Sequence, residues 1–106
     1  YVELDGFDHH SDHELAGLAR LYGYLNGALE AFVTEMKHQG VFDKVVIASG
    51  TDFSRTLTSN GEGTDHAWAG HNFVIGGSIE GGRILNEYPT SLLEGSEQDL
   101  GRGRLV

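Results

Sequence analysis

"LAGLARLYGYLNGALEAFVTEMKHQG", residues 15–40, followed by "DKVVIASG", residues 43–50, decides how this chain folds. In the first stretch Leu15, Leu18, Tyr22, Leu25, Leu29, Phe32 and Met36 recur at alternating steps of three and four. That spacing lays an apolar stripe along one face of a helix. Ser11, with Glu14 three residues on, has the form of a capping box at its start. "KHQG" marks its end: Lys37 and His38 suit the negative end of the dipole, and Gly40 suits a left-handed cap. Gly23 and Gly27 lower helix propensity, which predicts close approach to a sheet or a neighbouring helix. Val45, Val46, Ile47 and Ala48 form an unbroken apolar run, the pattern of a strand buried on both faces.

Upstream, "YVEL" (Tyr1–Leu4) is β-prone and ends at a "DG" turn signal. Residues 1–50 therefore predict a parallel strand–helix–strand unit with a right-handed crossover. Such a unit would bring the loop Asp5–His10 and the loop Ser49–Thr56 to the carboxyl edge of one sheet, where open α/β folds place ligands. Beyond residue 56, "TLTSNGEGTDHAWAGHN" is expected to be a long polar loop. "FVIGGSIEGGRI" is expected to form short strands broken by Gly-Gly turns, and Ser91–Glu94 a short helix.

The chain has 106 residues, enough for one small domain. It carries 16 glycines against a single proline, which predicts many tight turns. The net charge of −9 argues against nucleic acid and against an anionic membrane surface as partners. With no cysteine, thiolate sites and disulfides are excluded, and any metal must use oxygen and nitrogen donors. No apolar run approaches the roughly 20 residues of a membrane span. The abrupt start at "YVEL" and stop at "GRGRLV" lead us to expect a piece of a longer protein.

Three clusters could carry chemistry. They are Asp8, His9, His10, Asp12 and His13; Asp52 with Arg55; and Asp65 and His66, with His71 five residues later. Asp12 and Glu14 are explained by the first turn of a helix, where acids favour the dipole. Asp8 and His10 precede the cap and are not. His38 reads as a dipole partner, His71 as a loop histidine bonding backbone, and Trp68 as a lid over the loop. Mixed carboxylate and imidazole donors suit Zn²⁺, Mn²⁺ or Fe better than oxygen-only cations, although the sequence does not separate these from Mg²⁺ or Ca²⁺. Arg55 offers a fork for phosphate or sulfate, or else pairs with Asp52 or a neighbouring acid. Hydrolysis of an anionic ester needs a Lewis acid and a positive clamp, and those parts are present without a nucleophile.

"GFDHHSDHEL" (6–15), "IASGTDFSRT" (47–56), "NGEGTDHAWAGHNFVIGGSIEGGRI" (60–84) and "DLGRGRLV" (99–106) together resemble the C-terminal part of the bacterial family called domain of unknown function 1501. That family reads Gly-Phe/Trp-Asp-Thr-His, then Ser-Glu-Phe-Gly-Arg-Thr after a strand, then Gly-Thr-Asp-His-Gly. It is similar in turn to the alkaline phosphatase and sulfatase superfamily. The resemblance implies an α/β fold, with residues 1–106 a single partial domain, the C-terminal portion of an alkaline-phosphatase-like sandwich. It implies a metal-dependent hydrolase of phosphate or sulfate esters, with Asp8, His10, Asp52, Asp65 and His66 as metal ligands and Arg55 as the substrate-binding residue. Asp65 would either ligate or orient His66. Asp52 replaces the family's Glu, Ser54 its Gly, and Phe53 stands where phosphatases place His or Asn. The nucleophile would lie upstream, so neither Thr51 nor Ser54 takes that role. The resemblance further implies a periplasmic or secreted setting. The rival expectation is a non-catalytic binding or structural protein on the same scaffold, whose Asp/His clusters only bond loops together and whose acidic surface meets a partner protein. A third is an ordered remnant within an assembly, its ends stabilised by the rest of its own chain or by another protein chain.

Overall fold

A computed structural model of the chain describes residues 1–11 and 15–106. It has one long helix, α1 (Leu15–His38), a 3-10 turn (Phe42–Lys44) and four short strands: β1 (Val46–Ala48), β2 (Ser54–Ser59), β3 (Thr64–Ala67) and β4 (Val74–Gly76). The strands form two separate two-stranded antiparallel sheets, β1–β4 and β2–β3. No helix among the described residues is long and apolar enough to cross a membrane.

The stripe Leu15–Met36 forms the helix, and the helix ends where "KHQG" predicts. Gly40 has φ +67°. The Gly40 N–H donates to the Lys37 carbonyl and the Val41 N–H to the Met36 carbonyl, both at 3.0 Å. This pair of bonds is the Schellman arrangement, with glycine in the left-handed position an L side chain avoids. The capping box of Ser11 and Glu14 involves residues outside those described. Leu18, Leu25, Leu29 and Met36 are half-buried, while Tyr22 and Phe32 of the same stripe are exposed. Gly23 and Gly27 meet nothing within 4 Å, so the close approach predicted for them is absent among the described residues.

The parallel strand–helix–strand unit does not form. Tyr1–Leu4 belongs to no strand, and Tyr1 and Val2 are almost fully exposed. A strand needs a ladder partner, and that segment has none among the described residues. The partner of β1 is β4, in the register Val46↔Gly76, Ile47↔Ile75 and Ala48↔Val74. The pair is extended by the Ser49 N–H on the Phe73 carbonyl at 2.9 Å and the Phe73 N–H on Ser49 Oγ at 2.8 Å. A two-stranded ribbon cannot cover both faces of a strand, so Val46 and Ala48 are exposed and only Ile47 is half-buried.

The polar stretch expected to be a loop is a hairpin. Strands β2 and β3 pair Ser54↔Ala67 and Arg55↔His66, and again Ser59↔Thr64, with a register shift between. The extra residues on β2 bulge it between Arg55 and Ser59. The turn is built by Asn60, whose side-chain carbonyl accepts the N–H groups of Glu62 at 2.9 Å and Gly63 at 2.8 Å. The C-terminal segment crosses the hairpin: the Leu57 N–H donates to the Gly103 carbonyl and the Ala69 N–H to the Leu105 carbonyl. Thr56, Ala67 and Leu105 are the buried residues of the described chain, so its core sits here. Ser91–Glu94 is not a helix: Ser91 and Leu92 are irregular, Leu93 bends and Glu94 enters a turn.

Surface area shows how little else is covered. The chain exposes 8396 Å², against about 5800 Å² for a compact monomer of its mass. Its radius of gyration is 16.6 Å, against about 13 Å for a compact domain of this length.

Candidate functional site

The site forms where the segment leading to α1 crosses the hairpin. The Thr64 N–H donates to the His9 carbonyl at 3.0 Å. Asn60 Nδ2 donates to the His10 carbonyl at 3.2 Å. A Cβ on Gly63 would lie 2.5 Å from the His9 carbonyl oxygen and 2.7 Å from that of His10. Glycine at 63 is therefore a packing requirement, because only a bare backbone admits the crossing segment. Hydrogen bonds and close packing against the hairpin, not parallel strand ends, bring the two histidine clusters together.

Asp8 Oδ1, His10 Nε2 and His66 Nε2 converge. The histidine nitrogens are 2.9 Å apart, Asp8 to His10 is 3.1 Å, and Asp8 to His66 is 3.2 Å. Among the described residues these three make up the histidine and carboxylate group with metal-ligand spacing. Around an ion at about 2.0–2.1 Å, neighbouring donors of a tetrahedral or octahedral shell stand roughly 2.9–3.4 Å apart. All three edges fall in that range, and one carboxylate with two imidazoles is a donor set that Zn²⁺ and Fe²⁺ accept. All three side chains are about half exposed, so the cluster is open to solvent.

Arg55 supplies positive charge beside them. It donates through Nη2 to Asp8 Oδ1 and through Nη1 to the Thr64 carbonyl at 2.7 Å. Its Nε is buried with no hydrogen-bond partner among the described residues. It pairs with Asp8, not with Asp52. Burial lowers its guanidinium below the ordinary arginine value, opposed by Asp65, and an arginine stays charged regardless.

Asp65 stands one step back. Its Oδ1 accepts from Asn60 Nδ2 at 2.9 Å and faces His10 Nδ1 at 3.5 Å, while Oδ2 faces Arg102 at 3.5 Å. The Asn60 bond comes first among the causes that hold its carboxyl below the usual carboxylate value. Desolvation, then the charges of His10 and Arg55, lowers the His66 imidazole below its ordinary value. That favours the neutral ring, the form that can donate a lone pair to a cation.

The structure thus brings together Asp8, His10, His66, Asp65 and Arg55. It leaves Asp52 outside, on a shallow depression lined also by Trp68 and Asn72. Phe53 walls that depression on one side and stacks on His66 on the other, with ring centroids 3.6 Å apart and planes at 11°. His71 stacks on Tyr88 instead of joining the site. Trp68 is mostly exposed and lines the depression beside Asp52. Residues 12–14, including Asp12 and His13, lie outside the described residues. Sequence reasoning passed over Asn60, Gly63 and Arg102. The "NGEG" turn signal was visible; that its asparagine also faces the opposite segment was not.

What the fold and the cluster define is a small α/β unit carrying an exposed Asp/His/His group where the segment leading to α1 crosses a β-hairpin. Residues 1–97 match the family model described as protein of unknown function (DUF1501), and the chain belongs to that family. The closing "DLGRGRLV" falls beyond the matched span. No curated protein and no solved structure matches the chain.

Proposed function

We propose that this chain contributes a divalent-metal centre, held by Asp8, His10 and His66, to a hydrolase of phosphate or sulfate esters. The observation behind the reading is the donor triangle, whose three edges all have the spacing of a coordination shell. A metal bound there would supply Lewis acidity toward an ester oxygen. Arg55, which pairs with Asp8, would bind the ester's anionic group, and Arg102, which faces Asp65, would add a second cation. Asp52 lies outside this ligand set. The nucleophile is assigned to sequence outside these residues, and the export expected of the family stays part of this proposal.

Metal analysis of the full-length protein, with phosphatase and sulfatase assays before and after chelation, tests the reading. The expected result is about one transition metal per chain, turnover that falls on chelation, and loss of the metal in Asp8→Ala. Metal without turnover on any ester would favour the binding-protein reading. No metal at all would end the proposal.

A further inference from the structure

We propose that Asp65 is a positioning residue that presets His10 as a lone-pair donor at Nε2, leaving His66 as the ring that must change tautomer when a cation binds. The inference rests on the metal-centre reading above and adds an order of events to it.

The two Nε2 atoms are 2.9 Å apart. Two lone pairs at that distance repel, and two N–H groups collide. Between neutral rings, one nitrogen must donate and the other accept. Asp8 Oδ1 faces both Nε2 atoms almost equally, at 3.1 Å from His10 and 3.2 Å from His66, so it does not choose between them, and Asp65 breaks the tie. Its Oδ1 lies 3.5 Å from His10 Nδ1, whereas His66 Nδ1 makes no hydrogen bond to a described residue. A carboxylate beside one ring nitrogen favours the proton there and frees the other nitrogen's lone pair. His10 therefore carries its proton on Nδ1. The His66 Nε2–H donates to His10 Nε2 and also reaches Asp8 Oδ1 at 3.2 Å.

Asp65 is held firmly enough for this role. Asn60 Nδ2 bonds its carboxylate at 2.9 Å, and its own N–H donates to the buried Thr56 hydroxyl at 3.1 Å. The same Asn60 amide donates to the His10 carbonyl, so the carboxylate and the ring it faces share one anchor.

A cation needs lone pairs on both Nε2 atoms. His10 already presents one. His66 must release its Nε2 proton to water and take one up at Nδ1, so the ring stays neutral and no net proton is lost. Its half-exposed side chain gives water access to that exchange.

Long-range ¹H–¹⁵N correlation spectra of the histidine rings in the full-length protein test this, recorded without metal and with Zn²⁺. The expected result is His10 protonated at Nδ1 in both states, and His66 changing from Nε2–H to Nδ1–H when Zn²⁺ is added. Asp65→Ala should abolish the His10 preference and weaken Zn²⁺ binding about 10- to 100-fold, with Asp65→Glu restoring part of both. A wild-type His10 protonated at Nε2 would overturn the proposal, whatever the variants do. So would an Asp65→Ala protein with unchanged tautomer and affinity. A protein that fails to bind Zn²⁺ but shows His10 protonated at Nδ1 would retain the role of Asp65 and remove the metal-centre reading.

Discussion

Helix α1 and the β2–β3 hairpin are held in different ways. The helix follows from local sequence: a regular apolar stripe, a dipole-matched last turn and a glycine cap. Little of the chain packs on it. Phe7 meets Tyr22 edge-on at 5.5 Å, Leu21 lies beside Gly6, and the 3-10 turn closes its C-terminal end. The hairpin has almost no local apolar pattern, yet it holds two of the three buried residues, Thr56 and Ala67, and three of the five converging site residues, Arg55, Asp65 and His66, and the segments carrying Leu105 and carrying Asp8 and His10 cross it. The lesson is that a strong periodic signal marks an element, not a core. In this chain the tightest packing comes from glycines, threonines and an asparagine that let backbones approach one another.

The sharpest way to break this contrast is at Gly63. Gly63→Val would force a side chain into the backbone of His9 and His10. The expected cost is on the order of 3 kcal/mol. Metal binding should fail as Asp8 and His10 leave His66, while helical circular dichroism is retained. Normal metal affinity in that variant would show that the crossing segment is held by something other than the hairpin.

A smaller effect of opposite sign is expected on the helix. Gly27 meets nothing within 4 Å, so Gly27→Ala should stabilise the protein by about 1 kcal/mol through helix propensity. Thermal or urea unfolding measures it. A loss of stability instead would mean that this face is covered in the working protein.

The smallest expected effect is a pH dependence confined to the hairpin. The folded His66 value lies below the ordinary 6.5. The unfolded chain therefore binds its proton more readily, and stability rises with pH across that interval. The contribution is complete above about 6.5 and is lost as pH falls through the folded value. Asp65, held below 3.8, repeats the sign further into acid. Amide exchange of β2 and β3 should accelerate as pH is lowered through the first interval, after correction for intrinsic exchange. A slowing would reverse the assignment of His66.

By itself the sequence determined the helix, both of its C-terminal signals and the residue types of the site, because these depend on neighbours within four positions along the chain. It singled out Asp8 and His10 as unexplained by a helix cap, and it paired Asp-His at 65 and 66 with them through serial motifs. Only the tertiary structure decided the rest. Among the described residues "YVEL" has β propensity but no ladder partner, and "VVIA" is apolar but pairs with β4 alone, so no parallel sheet forms there. Asp52 and Arg55 are three residues apart, yet the β2 strand carries the arginine to Asp8 and leaves the aspartate on a separate depression lined also by Phe53. Strand pairing and side-chain direction are set by partners distant in sequence. The site is therefore assembled by the backbone that crosses over Gly63, a contact that residue types and spacing along the chain do not encode.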